Sequence, residues 1–195
     1  SAASDVYKRQ PLEIANFFIK IANSENEGSI TNMKLNKLLY FAQAWSLTKY
    51  GEPLFEEEIQ AWQHGPVVPS IYKAFRICGY NPINDTAGDF SSKNFSQRDI
   101  QLLIDVYNEF GKYSATKLAD MTHEKGGPWA TVYKNYISDI VIPLELIRDY
   151  YKQEPCISTF HLPKLSADNF TGFRNENNVL VLPKEDNNAE DDDYE

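Results

Sequence analysis

Cysteine is scarce in this chain of 195 residues: there are two, Cys78 and Cys156, in unrelated segments and with no C-x-x-C pair. That excludes a disulfide scaffold and a thiolate zinc site, and with no signal sequence it points to a reducing cytoplasm. The three histidines, His64, His123 and His161, are scattered, with no H-x-x-x-H or H-E-x-x-H spacing, so no metal is expected. No apolar run approaches the ~18 residues that a membrane-spanning helix needs. G-x-S-x-G, the Walker glycine loop and G-x-G-x-x-G are all missing, and with them the commonest nucleophile and nucleotide apparatus. Basic clusters with interleaved aromatics are also missing, which argues against direct binding of nucleic acid. The net charge of -9 belongs to the tail, where seven acidic residues fall between Glu185 and Glu195. Without them, 21 acidic residues face 19 basic ones, a body near neutrality.

What is present is a packed-core composition, 42% hydrophobic and 13% aromatic. A chain of this length buries roughly 70% of its unfolded surface and needs no metal or disulfide to fold. Met33 to Tyr72 organises the rest. Leu35, Leu38, Leu39, Ala42 and Trp45 recur at the spacing of one buried helical stripe, and Tyr40, Ala44 and Leu47 make a second patch on the opposite side. A surface helix needs one apolar face; two predict a helix sandwiched between neighbours. Gly51 stops it. Phe55 to Trp62 changes to period 2 and predicts a strand, and His64-Gly65-Pro66 turns the chain into a helix opened by Pro69, with Ile71, Tyr72 and Phe75 inward.

Around this centre, Pro11 opens a helix with Ile14, Phe17, Phe18 and Ile21 on one stripe, and Thr31 or Asn32 can cap the central helix. Tyr80 to Phe95 reads as a loop. Ser96 and Asp99 resemble a capping box ahead of Ile100, Leu103, Ile104, Tyr107 and Phe110. Ser114 caps a shorter helix with Leu118, Ala119 and Thr122 on one side. Gly126-Gly127-Pro128 breaks the chain, after which Trp129, Val132, Tyr133 and Tyr136 resume at helical spacing. Pro143 starts a last helix. The expected fold is mainly α (α+β): a compact helical domain around a central buried helix, with one small β element and an extended C-terminal arm. The divisions are a truncated or foreign leader at 1–10, the helical domain at 11–154, the arm at 155–184, with a short strand near Val179 to Leu182, and a disordered acidic tail at 185–195.

Several side chains invite a chemical reading. His64 sits in a turn bounded by Gly65 and Pro66, as a contact or a general base, or simply as a group bonding across the turn. His123 ends a helix, where the dipole and exposed carbonyls favour an imidazole, or it shares a surface with His64 and Trp129. Glu56-Glu57-Glu58 alternate faces on a strand and make a solvated edge rather than a cation site. Cys78 at a helix end reads as a buried structural thiol. Trp45 is assigned to the core; spacing leaves Trp62 and Trp129 open between core and an exposed recognition patch.

The order K-L-x-K-L-L-Y-F-A-Q-A-W, then G-x-P-L-F-x-E-x-I-x-A-W, then G-P-V-x-P-x-x-Y resembles the Panacea domain of SocA-like antitoxins and phage-associated GepA-like proteins. The likeness extends to Thr122-His123 and Pro128-Trp129 and covers about Pro11 to Tyr151. It implies a non-enzymatic antitoxin, without cofactor, that neutralises a cognate toxin by direct protein contact. SocA-like members are implied to deliver the toxin to a protease, which makes a proteolytic adaptor the alternative. The expected partner surface is Trp62, His64, Gly65, Pro66, His123, Pro128 and Trp129, with the aromatic arm second. An enzyme using His64 and His123 as an acid–base pair is the competing class, and requires both imidazoles at one pocket.

Overall fold

The computed structural model describes residues 10–25, 29–88 and 95–152, together with the backbone of 173–174 and 180–181. Leader residues 1–9, Cys156, His161, most of the expected arm and the acidic tail lie outside the described residues.

Helix α1 spans Pro11–Ser24, with Pro11 in its first turn and a capping box between Gln10 and Glu13. Helix α2, Asn32–Tyr50, starts where the Thr31 side chain accepts from the Lys34 N–H, and stops at Gly51 in the left-handed conformation (φ 72°). Strands β1 (Gln60–Trp62) and β2 (Gly65–Val67) form an antiparallel hairpin. Helix α3 (Pro69–Phe75) runs into a 3-10 turn, Arg76–Cys78. Then come α4 (Gln97–Phe110), α5 (Ala115–Thr122), α6 (Pro128–Val132) and α7 (Leu144–Tyr151). Ser96–Asp99 forms the expected capping box on α4, and Ser114 caps α5 by accepting from Lys117 N–H. A last hairpin pairs β3, Phe173–Arg174, with β4, Leu180–Val181.

The core sits on α2, against which α1, α3, α4, α5, α7 and β2 all pack. Phe41 stacks on Phe110 at 4.0 Å between ring centres, and Trp45 meets the same ring edge-on, as expected for a core tryptophan. The helix is more enclosed than its two apolar patches imply: everything from Leu35 to Leu47 is buried, polar residues included. Those polar side chains bind the backbone of the segment that follows. Gln43 donates to the Phe55 carbonyl and accepts from Leu54 and Phe55 N–H; Ser46 donates to the Glu52 carbonyl. Asn36 accepts from Val68 N–H, Asn32 donates to the Tyr72 carbonyl, and Lys37 donates to the Pro66 carbonyl. Residues 52–72 are thereby fastened along α2 by groups that satisfy buried backbone which no ladder serves.

This explains a correction to the expected strand. The alternation is real in burial, since Phe55, Ile59 and Ala61 are inside, but only Gln60–Trp62 pairs as a strand. Backbone at 54–55 is served by Gln43 instead, and Glu57 turns to accept from Ser70 N–H and Oγ at the start of α3. The ladder extends in a direction that spacing does not reveal: Ala61 N–H donates to the Ile140 carbonyl and Ile142 N–H to the Ile59 carbonyl, both at 2.8 Å. Gln60 thus bridges Val141, and β1 lies between β2 and residues 140–142.

Three further expectations are corrected. Tyr72 is 41% exposed rather than inward, because the short α3 buries only Ile71 and Phe75. Helix α6 ends at Val132; Tyr133 takes an extended conformation and Tyr136 a left-handed one (φ 66°), fully exposed. Cys78 is half-buried against the core rather than enclosed by it.

Candidate interaction site

Every described residue of the expected surface comes to one end of the β1–β2 hairpin. The register Trp62↔Gly65 leaves Gln63 and His64 as the turn, and the left-handed φ of 102° falls on Gly65. Space demands glycine there as well. A Cβ on Gly65 would stand 2.7 Å from Lys37 Cε and 2.8 Å from Thr122 Oγ1, both too close for contact. Gly65 and Pro66 are buried, and His64 is exposed at the tip.

The second half of the site arrives from α5 and α6. Thr122 closes α5, and His123 follows as its C-cap, with N–H bonded to the Ala119 carbonyl. Pro128, buried at the first position of α6, sets the entry of that helix and places Trp129. The Trp129 indole N–H donates to the Trp62 carbonyl at 2.8 Å, joining the two halves. On one face Trp129 stacks against His123 (3.7 Å), and it also stacks against Tyr133 (4.4 Å). The Trp62 ring meets Tyr72 edge-on at 4.9 Å, and its own N–H donates to Gln60 Oε1. Of the seven expected residues, Trp62, His64, His123 and Trp129 therefore reach the surface, whereas Gly65, Pro66 and Pro128 shape it from within.

Electrostatics sets the histidines apart. Burial, followed by the neighbouring positive charge of Lys37 and then His64, pushes the His123 imidazole below its usual range, with Asp120 opposing. Its Nε2 is buried and has no hydrogen-bond partner. Lys37 is 1% exposed, and desolvation brings its amine down to about 7. Sequence reasoning passed over Lys37. The signal was there: it stands one turn before Tyr40 and two before Ala44, at the head of the second apolar patch, where a lysine must be buried with a partner or cover the surface with its stem.

Beside Trp62 lies an open groove of about 590 Å³, lined by Ala61, Trp62, Gln63, Tyr133 and residues 135–139. It forms because the ladder begun at Val141 stops. Continued pairing would set Asp139 opposite Trp62, but Asp139 is left-handed (φ 61°) and leads the chain away. Tyr136 and Ile137 stand exposed along it, and Val141 is exposed where the ladder begins. Neither His64 nor His123 lines this groove, so it does not bring an acid–base pair to one substrate. No group of three or more His, Cys, Asp or Glu side chains is arranged for a metal ion among the described residues. Nor is any helix among them long and apolar enough to cross a membrane.

Residues 35–130 match the family model described as antitoxin SocA-like, Panacea domain. Through that segment, about half of its length, the chain is similar to the SocA-like Panacea-domain family. Antitoxin SocA of Caulobacter vibrioides (strain NA1000 / CB15N) is 35% identical over 112 residues, covering 53% of this chain. The match spans 60% of the length of that relative. No solved structure matches the chain significantly. The Panacea-domain match includes α2, the hairpin, His123 and Trp129, and it stops before Tyr133 and the exposed residues at 136–141.

Proposed function

We propose that this chain is the antitoxin of a bacterial or prophage toxin–antitoxin pair, acting in the cytoplasm by direct binding that covers the toxin's active surface. The similarity to the Panacea-domain family and the likeness to Antitoxin SocA support the class. The observation that carries the mode of action is the exposed apolar edge: Tyr136 and Ile137 line a groove together with Trp62, next to the Trp129–His123 stack. Large apolar side chains held outward beside a groove are the usual anchors of protein–protein contacts. Trp62, His64, His123 and Trp129 form the contact surface, and Gly65, Pro66 and Pro128 give it its shape.

The test is the adjacent reading frame, expressed with and without this chain. Growth that fails with the neighbour alone and recovers with both, together with a stoichiometric complex on co-purification, supports occlusion. Recovery accompanied by faster disappearance of the neighbour, with no stable complex, selects delivery to a protease instead. A harmless neighbour that does not bind overturns the reading.

A further inference from the structure

A lysine with its amine inside a hydrophobic core requires an explanation, and the hairpin supplies it. In the antiparallel pairing of β1 with β2, Ala61 stands opposite Pro66. Ala61 spends its N–H on Ile140, on the far side of β1. The Ala61–Pro66 pair is therefore one without mutual hydrogen bonds, and the Pro66 carbonyl points away from β1, towards α2. There it meets Lys37 Nζ at 2.9 Å. The Lys37 stem occupies the space that a Cβ on Gly65 would fill, with Thr122 Oγ1 closing the other side. Trp129 grips the same hairpin from α6 through the Trp62 carbonyl.

Building on the toxin-binding reading, we propose that Lys37 is the positioning residue of this surface: from inside the core its amine fixes the turn at 63–66, so that Trp62 and Trp129 are presented as one rigid face. Lys37 touches no partner. It acts through Pro66 and Gly65, and through the charge that it places beside His123. The imidazole that feels this amine is His123, the C-cap of α5, which also feels basic His64 on the turn and acidic Asp120. Two charges at Lys37 and His123 are mutually unfavourable in so little water, so acidification sets the amine against the imidazole that stacks on Trp129. The surface consequently becomes sensitive to protons at a residue that is not part of it.

Nuclear magnetic resonance on the full chain tests this without the partner. The Lys37 side-chain Cε signal, assigned by its loss in Lys37→Met and followed from pH 5 to 11, should titrate near 7, well below the ordinary value for a lysine, ~10.4. In Lys37→Met the indole N–H signals of Trp62 and Trp129 should shift and lose exchange protection, while amides of Leu102 to Val106 in α4 keep theirs. Unmoved indoles, or protection lost equally in α4, would make Lys37 an ordinary packing residue and overturn the proposal. If Lys37→Met does not fold, the wild-type titration decides: an amine assigned by selective isotope labelling that titrates with the exposed lysines defeats it. Failure of the neighbouring gene product to bind would sink the antitoxin reading and leave these signals as they are.

Discussion

The indole N–H of Trp129 donates to the carbonyl of Trp62 at 2.8 Å, across a sequence separation of 67. This one bond ties the hairpin to the α5–α6 corner, and it turns two short motifs into a single surface. Trp129→Phe keeps the ring and deletes the donor. It should cost about 1 kcal/mol, or roughly 2–4 °C in melting temperature, and weaken capture of the neighbouring gene product more than that loss of stability implies. Calorimetry and a binding titration on the same preparation check both halves.

Gly65 offers a sharper contrast. Gly65→Ala places a methyl group 2.7 Å from the Lys37 stem at a left-handed φ, and should destabilise by about 2–4 kcal/mol. Gly51→Ala, also left-handed but facing open space, should cost only about 1 kcal/mol. Equal urea midpoints for the two variants would contradict the close approach.

The five polar residues of α2 that bind residues 52–72 predict where the core is intolerant. Gln43→Leu is nearly the same size but leaves the Leu54 and Phe55 backbone unserved, and should cost about 3 kcal/mol. Thermal unfolding of the variant should show a midpoint lower by roughly 6–12 °C.

Protonation gives a prediction with a definite sign. Lys37 is lowered to about 7 in the fold against 10.5 when unfolded, so between these values the unfolded chain binds more protons and stability rises with pH. Below pH 7 the fold carries the whole cost of burying the ammonium. Subtracting the Lys37→Met curve isolates the effect: the wild type should gain on the variant from pH 7 to 10.5, by at most about 1.4 kcal/mol per unit. His123, also lowered, adds a loss of stability as pH falls through its range. Urea unfolding at pH 6, 8 and 10 checks the trend; a flat difference rejects it.

Surface substitutions should separate binding from folding. Tyr136→Glu and Ile137→Asp alter side chains that are fully and half exposed, so stability should stay within ~0.5 kcal/mol. If this edge contacts the toxin, each should lower affinity at least tenfold, read by titration calorimetry with the purified neighbour.

Much of the fold was legible because burial writes itself as spacing. The stripes of α1, α2 and α4, and the caps at Thr31, Ser96 and Ser114, appear where periodicity and side-chain chemistry put them. What escaped was non-local. Alternation from Phe55 to Trp62 reports which side chains turn inward, but not where the backbone finds partners; those are Gln43 and Ile140, each unpredictable from the segment itself. Helical spacing through Tyr136 misled because Tyr133 leaves the helix, and the exposed edge follows from that departure. The motif residues Trp62, His64, His123 and Trp129 are brought to one end of the hairpin by the fold. Lys37 stands out in the sequence only as a lysine on an apolar face; its carbonyl partner lies on a strand that only folding brings to it.

The pairing of β1 with residues 140–142 limits where a portable module can be cut from this chain. A fragment trimmed to 35–130 would lack α1, whose Phe17 and Phe18 are wholly inside, and α7 with Ile147. It would also strand the Ala61 amide and open a flank of α2 to water. Excision at 10 and 152 keeps α1, α7 and the backbone partner of Ala61 with the central helix.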